Sequence, residues 1–136
     1  MKTLHVDIVT PTKTAFEGDV QSITIPGTLG SFQVLYNHAP LMSSFEVGQI
    51  KIEEAEGKNN LYATSGGTVE VLNNKVVVLA ESLESPEEID VERAKAAMER
   101  AKKRIARETN EESIDVLRAE FALKRALNRL KLVKKL

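Results

Sequence analysis

Every arginine in this chain lies after Pro86. Residues 1–85 carry five lysines and ten acidic residues, a balance of −5, whereas residues 86–136 carry seven lysines, seven arginines and ten acidic residues, a balance of +4. A change of charge and side-chain type this sharp marks a boundary between two units rather than a feature of one core. We divide the chain at that point, into a first domain over 1–84 and a second over 85–136.

The first domain reads as β-structure. Leu4, Val6 and Ile8 alternate with His5 and Asp7, and Ile23 alternates with Ile25 before Pro26-Gly27. Phe32, Val34 and Tyr36 repeat the period, and Val47, Ile50 and Ile52 follow. This period of two belongs to strands with one buried face. Asn73-Asn74 separates Val69–Leu72 from Lys75–Leu79, and asparagine tolerates the positive φ that a two-residue hairpin turn requires. The Val76–Leu79 run is apolar on both sides, which predicts a central strand. Many short strands with frequent turns predict an antiparallel β-sandwich.

The second domain reads as two helices. Ser85-Pro86-Glu87-Glu88 carries a serine cap, a proline suited to the first helical position and a capping-box glutamate. Asp90 offers an alternative cap one turn later. Ala94, Met98, Ala101 and Ile105 form one apolar stripe, shallow because half of it is alanine. Thr109-Asn110-Glu111-Glu112 predicts a break and a second cap. Val116, Ala119, Leu123, Ala126, Leu130 and Val133 then form a seam at spacings of three and four, and Ile114, Leu117 and Phe121 form a second stripe. The expected fold class is α+β, mainly β at the N-terminal end: a sandwich followed by a weakly held αα-hairpin.

Within the helical domain a motif is written twice. Ile89-Asp90-Val91-Glu92-Arg93-Ala94 returns as Ile114-Asp115-Val116-Leu117-Arg118-Ala119. Arg93, Arg100 and Arg104 share one face of the first helix, and Arg118, Arg125 and Arg129 share one face of the second. Guanidinium forks suit carboxylate and phosphate oxygens. From spacing alone three readings stay open: a solvated face of exposed ion pairs, a site for an anionic ligand or acidic protein, and a nucleic-acid contact. The last lacks interleaved aromatics, since Phe121 is the only aromatic residue after Tyr62.

Other chemistry is poorly represented. There is no cysteine, hence no disulfide, thiolate nucleophile or cysteine-based metal centre. His5 and His38 are far apart with no H-x-x-x-H spacing, so no metal site is expected. Gly27-Thr28-Leu29-Gly30 and Ser65-Gly66-Gly67 do not make a phosphate loop, and Ser65 has no signature placing it beside a base. A non-enzymatic role is expected. No apolar run approaches the length of a membrane span, which leads to the expectation of a protein not inserted in a membrane.

Taken in order, Leu4-His5-Val6-Asp7-Ile8-Val9-Thr10-Pro11, Asn37-His38-Ala39-Pro40-Leu41, Ser65-Gly66-Gly67-Thr68-Val69-Glu70-Val71, Ile89–Ala94 and Leu123–Leu130 resemble the epsilon subunits of bacterial F-type ATP synthases. The resemblance covers essentially the whole chain. It implies a central-stalk rotor component, peripheral at the cytoplasmic face of the plasma membrane, whose partners are the gamma subunit, the ring of c subunits, and the alpha and beta subunits. Gly30, Ser31 and His38 match segments that face the ring. The helices of this family move between a compact hairpin and an extended form that inhibits ATP hydrolysis. In some relatives the compact form holds ATP as a regulatory ligand without hydrolysing it. That motif matches Ile89, Asp90, Arg93 and Ala94, and the same correspondence selects Glu84, Arg100, Arg125 and Arg129. The remaining alternatives are a stand-alone ATP-sensing module and a basic helical arm for nucleic acid.

Overall fold

The computed structural model describes residues 2–107 and 114–134. The chain forms two compact units, Met1–Ser85 and Pro86–Leu136. The first contains strands β1 (Leu4–Val9), β2 (Thr14–Gly27), β3 (Gly30–Leu35), β4 (Leu41–Glu54), β5 (Asn59–Leu72), β6 (Lys75–Ala80) and β7 (Leu83–Glu84). They run in the order β1-β6-β5-β4-β2-β3, β7 pairs with β5, and β1 also pairs with β2, so the sheet closes around its core. The result is the expected β-sandwich. One of its pairings, β1 with β6, is parallel.

Alternation decides which side chains enter the core. Leu4, Val6 and Ile8 of β1 are fully buried, as are Val76 and Val78 of β6, Ile23 and Ile25 of β2, and Ile50 and Ile52 of β4. Fully burying each such side chain is worth about 1.5–3 kcal/mol. Asn73 and Asn74 have φ of 49° and 61°, the left-handed pair that a tight turn between β5 and β6 demands. A second tie fixes that turn: the Asn74 carboxamide oxygen accepts the Asn37 backbone N–H at 2.6 Å, and its amide donates to Asn37 Oδ1 at 3.2 Å.

Two details differ from the sequence reading. β6 does lie between β1 and β5, but Leu79 is 54% exposed, so its second apolar side makes surface rather than core. Tyr36 falls one residue beyond β3 and is exposed, because the chain turns at Asn37 with φ 63°.

The second unit contains a single 3₁₀ turn over Pro86–Glu88, then α1 (Val91–Arg107) and α2 (Ile114–Lys134). The α-helix therefore starts later than the Ser85-Pro86 signal predicts. The chain makes one tight turn, closed by the Ile89 N–H to Pro86 carbonyl bond, and buries Ile89. Asp90 then caps α1. The expected break and cap at Thr109-Asn110-Glu111-Glu112 lie outside the described residues.

The two helices pack against each other. One cleft is lined by Lys95, Met98 and Glu99 from the first half of α1 and by Leu127, Leu130, Lys131 and Lys134 from the second half of α2, so the pair is antiparallel. Ala94 and Ala101 of α1 and Ala119 and Ala126 of α2 are buried. Alanine lets the backbones approach closely but contributes little apolar area per residue. Of the second stripe on α2, Leu117 and Phe121 are 57% and 53% exposed.

Candidate functional site

The helical unit positions its candidate residues through one cap and two helix faces. The Asp90 carboxylate accepts the Arg93 backbone N–H at 3.1 Å, and the Ala94 N–H bonds to the Asp90 carbonyl at 3.0 Å. This satisfies a donor that the first helical turn would otherwise leave unpaired. It also fixes Asp90 at the head of the helix, with Arg93 in the first turn and exposed. Ala94 is buried on the packed face, next to that arginine in sequence.

Helical periodicity places the remaining guanidinium groups. On α1, Arg93, Arg100 and Arg104 fall about 100° from the buried Ala94/Ala101 face; on α2, Arg118, Arg125 and Arg129 fall about 100° from the Ala119/Ala126 seam, in the same rotational sense. In an antiparallel pair, the same sense puts both rows on one side of the hairpin. Arg93 and Arg100 are exposed, whereas Arg125 and Arg129 are half-buried. Pairing the halves as the cleft does brings Arg100 near the level of Arg125. The cleft itself, about 710 Å³, lies on the opposite side, with an apolar floor and a lysine rim. The arginine side and the cleft are separate surfaces.

Glu84 belongs to β7 in the first unit, paired with Ala63 of β5. Gly30 and Ser31 start β3 at the β2–β3 hairpin, whose tip residue Leu29 is wholly exposed. His38 follows the other end of β3, its backbone N–H bonded to the Leu35 carbonyl and its Nδ1 2.7 Å from the Ala39 carbonyl. At about 3.4 Å per residue the six residues of β3 separate the two loops by roughly 17 Å. They are distinct points on the sandwich.

The sequence reading missed one surface. On the outer face, Met42 of β4 stands beside Glu70 of β5 and Val77 of β6, and Ser44 beside Thr68 and Leu79. Met42 is 78% exposed and Leu79 54%, and these six residues line a shallow cleft of about 370 Å³. The doubly apolar Val76–Leu79 run carries its signal, since only one face of that strand enters the core.

Family models match both units in succession: the ATP synthase delta/epsilon chain beta-sandwich domain over residues 3–86, and the long alpha-helix domain of the same chain over 87–134. The chain belongs to the ATP synthase delta/epsilon family. It is 52% identical to the ATP synthase epsilon chain of Pelotomaculum thermopropionicum over 108 residues, 79% of this chain and 80% of that one. It is 47% identical to the epsilon chain of Carboxydothermus hydrogenoformans over 106 residues, 78% of each. Among solved structures, a chain of the Euglena gracilis mitochondrial ATP synthase assembly of OSCP, F1 and c-ring superposes with a TM-score of 0.82 at 23% identity, covering 96% of this chain and 81% of that one. At that identity the likeness shows the shared fold. Among the described residues, no helix is long and apolar enough to cross a membrane.

Proposed function

We propose that this chain is the epsilon-type subunit of a bacterial F-type ATP synthase, a non-catalytic part of the central stalk. The observation that carries the reading is the consecutive match of both family modules over residues 3–86 and 87–134. The sandwich supplies the docking unit. Its exposed Met42/Leu79 face suits an apolar surface on the gamma subunit, and the Leu29 hairpin tip suits contact with the c-ring. The helical unit supplies regulation: it alternates between the compact pair and an extended form that engages the alpha and beta subunits and inhibits ATP hydrolysis. On this reading the protein lies at the cytoplasmic face of the membrane, held there by its partners.

The compact form binds ATP without hydrolysing it. Asp90 is held at a helix start beside Arg93, and the arginine rows of both helices share one side of the hairpin, a basic surface for a polyphosphate. Ligand that binds only this form stabilises it by about 2.7 kcal/mol at a hundredfold excess over Kd. That is enough to tip a hairpin whose buried seam is largely alanine. The test pairs two measurements. Co-purification with a gamma subunit tests the stalk assignment. Calorimetric titration with ATP, on the wild type and on Arg93→Ala and Arg125→Ala, tests the regulatory site. Failure to capture gamma would overturn the first, and absence of heat in the millimolar range, or equal binding by both variants, the second.

A further inference from the structure

Closure of the sandwich leaves one strand outside the ring. β1, β6, β5, β4 and β2 follow one another and β2 returns to β1, whereas β3 hangs on β2 and, among the described residues, pairs with no other strand. Thr28 and Leu29 form the turn between β2 and β3, so Gly27 and Gly30 make the hydrogen-bonded pair beside it. Alternation makes Ile25/Phe32 and Ile23/Val34 the next such pairs. Pro26, which has no N–H, falls between them, opposite Ser31. Ser31, Gln33 and Leu35 therefore turn their main chain away from β2, and all three are exposed. The Leu35 carbonyl is taken by the His38 N–H at 3.1 Å. The N–H groups of Ser31, Gln33 and Leu35 and the carbonyls of Ser31 and Gln33 are left facing outward in a row.

Soluble proteins blunt such an edge with charge, proline or a bulge. β3 reads Gly-Ser-Phe-Gln-Val-Leu, with no charged residue and no proline, and its pairing runs from Ser22/Leu35 to Gly27/Gly30 without a shift of register. Donors and acceptors alternating at strand spacing are matched by another extended main chain, not by a nucleotide or a lipid. The margin of the core lies here as well. Phe32 packs against the core but is only partly buried, so an added strand sets a side chain next to it.

The size of the edge decides between occupants. A six-residue ladder between two copies of this chain is small against the ~1,200–2,000 Å² that a stable interface buries. A partner that also covers adjoining surface meets that need, and the β2–β3 hairpin touches such a surface. Thr28 Oγ1 lies 3.3 Å from Ser44 Oγ, and Ser44 lines the exposed Met42/Leu79 cleft. We propose that the gamma subunit docks by adding an extended segment to the open edge of β3, in one footprint with that cleft. This deepens the stalk assignment above and rests on it. The segment is apolar on the side that meets Phe32 and polar on the side that meets Ser31 and Gln33, and its main chain supplies most of the hydrogen bonds.

The test is amide hydrogen exchange, resolved by residue, on the full chain alone and in complex with purified gamma subunit. In the free chain the Phe32 and Val34 amides, bonded to β2, should exchange slowly and those of Ser31, Gln33 and Leu35 fast. The complex should slow the latter group by about tenfold or more. Gln33→Pro removes an outward donor and no β2–β3 hydrogen bond, and it should weaken gamma binding about tenfold. Slow exchange at Val34 shows that this variant is folded; if it does not fold, the wild-type comparison decides. Gamma bound with the outward amides still fast, or bound equally by folded Gln33→Pro, would overturn the docking mode and leave the stalk assignment standing. Failure of the wild type to bind gamma removes both. Protection that appears in the chain alone at high concentration, and is unchanged by gamma, would make the occupant a second copy and likewise overturn the proposal.

Discussion

The carboxylate of Asp90 reaches forward three residues to the backbone N–H of Arg93 at 3.1 Å. The two motif residues are therefore coupled through the cap, before any ligand is considered. Removing the carboxylate as Asp90→Ala is expected to cost about 1 kcal/mol of α1 stability. Amide exchange should quicken in the first turn of α1 and remain unchanged in the β-sandwich. The same variant should bind ATP more weakly, whereas Asp90→Asn, which keeps a capping oxygen, should restore the exchange rates and leave any loss of affinity exposed on its own.

Ala126 is 0% exposed in the seam between α1 and α2. Ala126→Leu adds three carbons where the backbones approach, and overpacking of this kind costs about 1–3 kcal/mol. The helices should separate more readily while the sandwich stays folded. Hydrogen exchange resolved by segment would show faster exchange in both helices alone. Under the proposed regulatory switch, inhibition of hydrolysis in an assembled ATP synthase should then increase.

Gly67 has φ of 157°, and a Cβ there would stand 2.0 Å from the Leu79 carbonyl oxygen and 2.9 Å from Phe45 Cζ. Both obstacles belong to the sandwich itself, one to the backbone of β6 and one to the core. Gly67→Ala should destabilise the first unit by about 3 kcal/mol or more, at the severe end for a single substitution. A fall in the urea midpoint followed by a sandwich-specific probe, such as the fluorescence of Tyr36 and Tyr62, both in this unit, would measure it. A midpoint near that of the wild type would mean the strands shift at little cost.

His5 provides the pH-dependent contribution. Its hydrogen bond to Asp19, with the charges of Asp7, Asp19 and Glu17 around it, raises the imidazole above the ordinary 6.5 despite some opposing desolvation. A raised folded-state value favours the protonated ring in the native chain. The associated stability is complete below about pH 6.5, the unfolded value, and is lost as pH rises through the folded value. An NMR titration should place His5 above 6.5, and Asp19→Ala should bring it down. The effect on unfolding should be slight, because the ring is partly solvent-screened.

Much of the architecture was legible because it is written locally. Alternation marked Leu4–Ile8 and Ile23–Ile25, the paired asparagines marked the β5–β6 turn, and the composition change at Pro86 marked where the β-structure ends. What escaped the sequence depends on partners distant in the chain. Leu79 reads as core until the sheet's order shows its second side uncovered. Asp19 and Glu17 become neighbours of His5 only through strand register, which no short window contains. The helix start was misplaced because Ser85-Pro86 and Asp90 are both competent signals, and the burial of Ile89 favours the later one. The candidate nucleotide residues lay between these cases: periodicity placed the arginines on faces, and the antiparallel packing of α1 and α2 put both faces on one side.

The parallel pairing of β1 with β6 bears on the order in which the first unit can be made. Val6 lies beside Val76, and Ile8 beside Val78. β1 emerges first during synthesis, yet one of its two neighbours exists only after some seventy further residues. Until then β1 has β2 alone, and the edge meant for β6 stays open. Such long-separation contacts slow folding because the intervening chain must be ordered before they form. Closure of the sandwich therefore waits on β6, late in the unit, so a nascent chain halted before Lys75 has no complete unit to offer a partner.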